Sequence, residues 1–247
     1  MSDHTPRTLI IGATRGIGRA TARELAGRGH RLALGDVKNE ALAQDLAAEL
    51  GPDTALVAGD VAEDGARMVE QAVGALGGLD HVVVTAVPLL MGPISSITRE
   101  QAQRSMDVNV TGFREVAFAA REALAASSGS LIALSSLGSY RYASYYGALG
   151  PAKAALESTV RYLAAEFGPH LIRVNAVAPS LVDDPEHFAD APEAAKFLDA
   201  VARRTPLGRR LATPVDVAST IAGLLGDDFA FLTGQVIILD GGYSLLA

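Results

Sequence analysis

Ile10-Ile11-Gly12-Ala13-Thr14-Arg15-Gly16-Ile17-Gly18 decides the fold of this chain. A β-rich apolar run, Thr8–Ile11, leads into it. Ile17, Ala20, Thr21 and Leu25 leave it at helical spacing. Glycines between a strand and a helix let the chain turn tightly and bring backbone N–H groups close to an anion. The helix N-terminus adds a partial positive charge. The stretch therefore reads as a pyrophosphate-binding turn, with Gly12, Thr14, Arg15, Gly16, Ile17 and Gly18 around the ligand. Its spacing is G-x3-G-x-G, not the commoner G-x-G-x-x-G, and a ligand-free strand–helix turn is the competing reading.

Working outward, short strand patterns alternate with helical ones. Strands are expected at Thr8–Ile11, Arg31–Gly35, Ala55–Ala58, His81–Thr85, Ser130–Ser135, Ile172–Ala176 and Val236–Leu239. Helices are expected at Glu40–Leu50, Asp64–Leu76, Arg99–Ala126 (dented near Asn109–Gly112), around Leu156–Phe167, and at Pro214–Leu225. This alternation predicts an α/β fold, a Rossmann-type doubly wound parallel sheet of about seven strands with helices on both faces. Residues 1–247 form a single dinucleotide-binding domain in this reading. The strandless stretch 180–212, with Pro185, Pro192 and Pro206, is expected to be a lid over the site. Ligands of such sheets bind at the carboxyl ends of the strands. Gly12, Asp36, Asp60, Thr85, Ser136 and Pro179 all stand there.

Asp36 ends the second strand, 18 residues after Gly18. An acid at that place accepts from adenine-ribose hydroxyls and repels a 2′-phosphate. Arg15 argues the other way. No cation follows Asp36, since Val37 stands there, so NAD is expected over NADP.

The net charge of −7, with no basic run, disfavours a nucleic-acid partner. The chain has no cysteine, which excludes disulfides and thiolate metal sites; no metal site is expected. Hydrophobic residues make up 49% of the chain, enough for a large core, yet no apolar run reaches the length of a membrane span. The N-terminus lacks an apolar signal region, so the expected location is cytoplasmic, with no membrane partner.

These residues resemble the short-chain dehydrogenase/reductase family over nearly the whole chain. Gly12-x3-Gly16-Ile17-Gly18 looks like its cofactor fingerprint and Asp60-Val61 like its adenine-contacting pair. Asn109 resembles its helix-four asparagine, Ser135-Ser136 its serine pair, and Lys153-Ala154-Ala155-Leu156 the start of its active-site helix. Arg173–Pro179 and Leu232–Gly242 are close to its late signatures. The resemblance implies hydride transfer between nicotinamide and an alcohol or carbonyl carbon. Ser136 would hold the substrate oxygen, Lys153 the nicotinamide ribose, and Asn109 a proton-relaying water. Ala86, Pro179 and Asp184 would line the cofactor site. A homotetramer or homodimer is implied, with contacts through Leu156–Phe167 and the C-terminal Gly241–Ala247.

The family's Y-x-x-x-K motif fails here. Counting back four from Lys153 gives Leu149, which neither donates nor accepts a proton. The family's Asn-Asn-Ala-Gly reads Val84-Thr85-Ala86-Val87. Its threonine before the first glycine is Ile11. Asp184 replaces another threonine and puts a negative charge near a pyrophosphate. Tyr140, Tyr142, Tyr145 and Tyr146 crowd between Ser136 and Lys153. Tyr146 is the expected stand-in for the missing acid/base, with Tyr145 second. The tyrosines lining an apolar substrate pocket, or a subunit contact, is the other reading. Asn109 is equally explicable as the plug of a helix kink. Three outcomes stay open: an NAD(P)-dependent oxidoreductase on a small, apolar alcohol or carbonyl substrate; a dinucleotide-binding homologue with little or no catalysis; and a chain that has lost the cofactor.

Overall fold

The computed structural model describes residues 4–36, 39–184, 186 and 194–246. Val37, Lys38, position 185, positions 187–193 of the expected lid, and Ala247 lie outside the described residues.

Seven strands form one parallel sheet: β1 (Arg7–Ile11), β2 (Arg31–Asp36), β3 (Ala55–Ala58), β4 (His81–Val84), β5 (Ser130–Leu134), β6 (Arg173–Pro179) and β7 (Val236–Leu239). Their order is β3-β2-β1-β4-β5-β6-β7, so the direction of winding reverses between β1 and β4. Register pairs Ile11 with both Gly35 and Val84, which brings the glycine turn against the end of β4. A crevice at such a switch point is where doubly wound sheets hold ligands.

Alternation along each strand feeds two cores. Leu9, Ile11, Val82 and Val84 face one way, under α3 (Val61–Leu76), α5 (Gly112–Ser127) and α6 (Leu149–Phe167). Ile10, Val83, Ile132 and Leu134 face the other way, under α1 (Gly16–Gly27), α2 (Glu40–Leu50) and α8 (Pro214–Leu225). Helix α4 (Arg99–Met106) and helix α7 (Ala194–Arg204) complete the set.

Several bounds differ from the sequence expectation, each for a local reason. Helix α3 starts at Val61, three residues before Asp64, because Asp60 accepts from the Ala62 N–H and caps it. Strand β6 runs on from Ala176 to Pro179, since Val236–Leu239 pairs with it throughout. Helix α7 was not expected, and its appearance leaves 180–212 strandless among the described residues. The expected dent is a π-helical turn, Asp107–Thr111, between α4 and α5. There Asn109 Nδ2 donates to the Ser105 carbonyl at 2.8 Å, so the asparagine does plug the irregular turn.

At the amino ends of the strands, His81 is largely buried beside the His30 ring, with centroids 5.6 Å apart. Burial, reinforced by the charges of His30, Arg173 and His4 and opposed by Asp80, pushes His81 down to about 4. The unfolded value is about 6.5, so the unfolded chain binds more protons between these pH values. Neutral His81 therefore adds stability above pH ~6.5 that is lost as pH falls towards ~4, up to about 3 kcal/mol. Urea midpoints are expected to fall between pH 7 and pH 4.5, and more steeply in wild type than in His81→Gln. Parallel slopes would refute the assignment.

Candidate functional site

The glycine turn is held from three sides. The Gly12 N–H donates to the Gly35 carbonyl at 2.8 Å. The Thr85 hydroxyl, buried at the end of β4, donates to the Ile11 and Gly12 carbonyls, each at 3.1 Å. Ala86 N–H bonds the Ile11 carbonyl at 3.2 Å. Gly12 has φ +86°, and a Cβ there would lie 2.7 Å from the Ala86 nitrogen. Gly18 presses on the Gly12 carbonyl so closely that no Cβ fits. Both glycines are required by the turn itself. Gly16 differs: its Cβ direction, at φ +47°, points out of the turn, into the carboxylate of Asp184.

Arg15 is the N-cap residue of α1 but caps nothing with its side chain; its guanidinium donates to Asn39 Oδ1 at 3.3 Å. No acid occupies the first turn of α1. Uncapped N–H groups at a helix start, beside an outward-facing glycine, suit a phosphate oxygen. The residues present fit a dinucleotide. Thr14, buried, donates to Asp36 Oδ2, and the Asn39 N–H donates to Asp36 Oδ1 at 3.2 Å. Asp36 thus stands at the end of β2 beside the turn, where an adenine ribose would lie. Ile17 packs on the α1-side core. Asp60 is less available than expected: one oxygen caps α3 and the other pairs with Arg104. Val61 is buried in the core.

Across the crevice, helix α6 begins at Leu149, with Gly150 and Pro151 in its first turn. Tyr146 therefore lies outside the helix. Leu149 is 2% exposed, one turn from Lys153 on the same helix face. Lys153 is also 2% exposed, and its Nζ donates to the Leu134 carbonyl at 2.5 Å. Burial pushes it down to about 7, against the raising pull of the Glu157 charge one turn on. Glu157 is itself fixed by the Ser135 hydroxyl, which donates to its Oε1 at 2.5 Å. Lys153 and Asn109 line one narrow crevice with Val84, Ala86, Ala133 and Leu156. Asn109 Oδ1 is buried there with no partner among the described residues.

Ser136 follows β5, and its Oγ accepts from the Gly138 N–H at 3.2 Å. The Tyr146 ring lies against Gly138, where a Cβ would meet its Cδ1 at 2.6 Å. Burial pushes the Tyr146 phenol up, and a hydrogen bond with Ser136 opposes this. The segment is pinned by Gly92, whose N–H donates to the Tyr145 carbonyl at 2.7 Å and whose carbonyl accepts from Gly147 at 3.0 Å. Tyr145, at φ +62°, is 64% exposed, and Tyr142 is 91% exposed. Only Tyr146 of the four joins Ser136. Pro179 is buried as the last residue of β6.

Glu157 is missed by the sequence reading, which places Thr85 at the ligand end of the sheet but not its hold on the glycine turn. Thr85 was legible as a hydroxyl just after a strand. Glu157 was legible only as an acid one helical turn beyond Lys153.

A family model described as enoyl-(acyl carrier protein) reductase matches residues 12–244. The 1-cyclohexenylcarbonyl-CoA reductase of Streptomyces collinus is 38% identical over 254 aligned residues, covering 100% of this chain and 89% of that protein. The glucose 1-dehydrogenase of Gluconobacter oxydans is 32% identical, covering 97% and 92%. A solved short-chain dehydrogenase/reductase of the glucose/ribitol dehydrogenase type from Brucella melitensis superposes with TM-score 0.88 at 32% identity, covering 98% and 99%.

Proposed function

The chain belongs to the short-chain dehydrogenase/reductase family, and from that premise we propose that it is an NAD(P)-dependent reductase of a small carbonyl-bearing substrate, with Tyr146 as proton donor. The observation that carries this is that Tyr146 alone of the four loop tyrosines shares a side-chain hydrogen bond with Ser136, and packs on Gly138 just ahead of the helix that bears the buried Lys153. When bound, the nicotinamide supplies or accepts the hydride. Ser136 orients the substrate oxygen. Tyr146, held protonated by burial, donates to that oxygen as negative charge develops. Lys153 holds the ribose, and Asn109, with its unpartnered Oδ1, lines the same crevice. Gly12–Gly18, Ala86 and Pro179 form the cofactor bed. Asp36 supports NAD over NADP, by accepting from the ribose hydroxyls and opposing a 2′-phosphate.

A phenol kept protonated suits reduction more than oxidation. It also suits a carbonyl conjugated to a carbon–carbon double bond, where hydride enters at carbon and charge collects on oxygen. The names of the matching family model and of the Streptomyces relative describe reductions of that type. Leu89 and Met91, in the segment just ahead of Gly92, and Tyr142 are exposed, which supports an apolar substrate. Segment 180–212 acts as lid of a single domain. A homotetramer or homodimer is part of the reading, supported by Phe118 and Tyr162, which stand exposed around a hollow between α5 and α6. Among the described residues no helix is long and apolar enough to cross a membrane, in line with a cytoplasmic setting. The test is a panel of ketones and enoyl thioesters with NADH and NADPH. Turnover of one class is expected. An inert panel, with tight cofactor binding by calorimetry, would overturn the proposal.

The second reading, a dinucleotide-binding homologue without catalysis, is favoured by the buried Leu149 at the expected acid position. It predicts that Leu149→Tyr gains carbonyl reduction of at least about a hundredfold over wild type, the worth of one general acid. Under the first reading the gain stays below about tenfold.

A further inference from the structure

The carboxylate of Asp184 lies where the phosphate turn faces outward. A Cβ on Gly16 would run into it. The adjoining helix, α1, has neither a side-chain cap nor an acid in its first turn, so its positive end lacks a counter-charge of its own. The carboxylate of Asp184 lies against Gly16, the first residue of that helix. The segment carrying it is anchored on both sides. The Asp183 N–H donates to the Ala212 carbonyl at 2.7 Å, and the Asp184 N–H to the Val182 carbonyl at 2.9 Å. Asp184 Oδ1 accepts from the Glu186 N–H at 3.1 Å. The Glu186 carboxylate pairs with Arg19 in the first turns of α1.

We infer that Asp184 is a built-in occupant of the anion site, which the pyrophosphate of a dinucleotide must displace in order to bind. This rests on the dinucleotide reading above and goes beyond it. A carboxylate and a pyrophosphate are both anions, and two anions a few ångströms apart repel. The carboxylate therefore swings away when the cofactor enters, and breaks its contacts as it does so. The Arg19–Glu186 pair is half exposed, so it is a weak latch that biases the segment without locking it. Free enzyme and cofactor-bound enzyme then differ in this segment, and cofactor affinity is set below what the glycine turn alone would give.

Isothermal titration calorimetry with NAD and NADH tests this on wild type, Asp184→Asn and Glu186→Gln. The amide keeps the size of Asp184 and its bond to the Glu186 N–H but removes the charge. Asp184→Asn is expected to bind about tenfold more tightly than wild type, and Glu186→Gln to gain less. If wild type binds and Asp184→Asn gains under about threefold, or loses affinity, the inference fails while the dinucleotide reading stands. If folded wild type and both variants bind neither nucleotide, that reading falls and the inference with it.

Discussion

Tyr146→Phe is expected to lower kcat by about a hundredfold or more, the usual worth of a positioned general acid. The phenylalanine ring keeps its place against Gly138, so the variant should fold and bind dinucleotide within about twofold of wild type. The loss then falls on the chemical step, as for an interaction made in the transition state. Tyr145→Phe is the natural comparison. Tyr145 is mostly exposed and shares only the loop, so its variant should keep activity within about twofold. Burial holds Tyr146 above its ordinary phenol range. Its acid form therefore persists through neutral and mildly alkaline pH, and reduction should show no fall attributable to it below about pH 10. If Tyr146→Phe retains activity within about threefold, a water on Lys153 supplies the proton instead.

Gly18→Ala is expected to cost about 3 kcal/mol or more of stability, combining overpacking with backbone that cannot yield. The added carbon would strike the Gly12 carbonyl oxygen and lie 2.8 Å from Thr85 Oγ1. Neither neighbour is free to move. The Gly12 N–H is bonded to β2, and Thr85 holds the Ile11 and Gly12 carbonyls. The turn should deform, and dinucleotide affinity should drop by more than about tenfold. Gly74→Ala gives the contrast. Gly74 lies inside α3, and a Cβ there would meet nothing within 4 Å, so alanine should stabilise by about 0.5–1 kcal/mol. Urea midpoints of the two variants should move in opposite directions. A Gly18→Ala protein as stable as wild type would mean that the turn is looser than its contacts indicate.

The fold was legible because its signals are local and repeated. Each strand announced itself through a short apolar run, and the glycine turn through spacing. The ends were less legible where a side chain or a partner strand sets them. Asp60 caps α3 three residues early, and β6 follows β7 to Pro179. Asn109 illustrates a mixed case. The dent could be read from sequence, but the π-helical turn that leaves its Oδ1 unpartnered could not. The site was harder, because the tyrosines differ by conformation, not by type. Four crowd one loop, and only the folded path past Gly92 and Gly138 selects Tyr146. Asp184 was legible as an odd charge near a phosphate; its seat above Gly16 came only from the tertiary path of the segment.

The strand order carries a consequence for how the chain is made. The first 58 residues contain β1, β2 and β3 in adjacent places, so this half-sheet can assemble as soon as it emerges from the ribosome. Its β1 side then stays an open edge until β4 arrives at His81–Val84. An unpaired apolar edge during synthesis invites pairing with other nascent chains. Slow-codon pauses or ribosome stalling between residues 58 and 84 should therefore raise the aggregated fraction more than pauses placed after Val84.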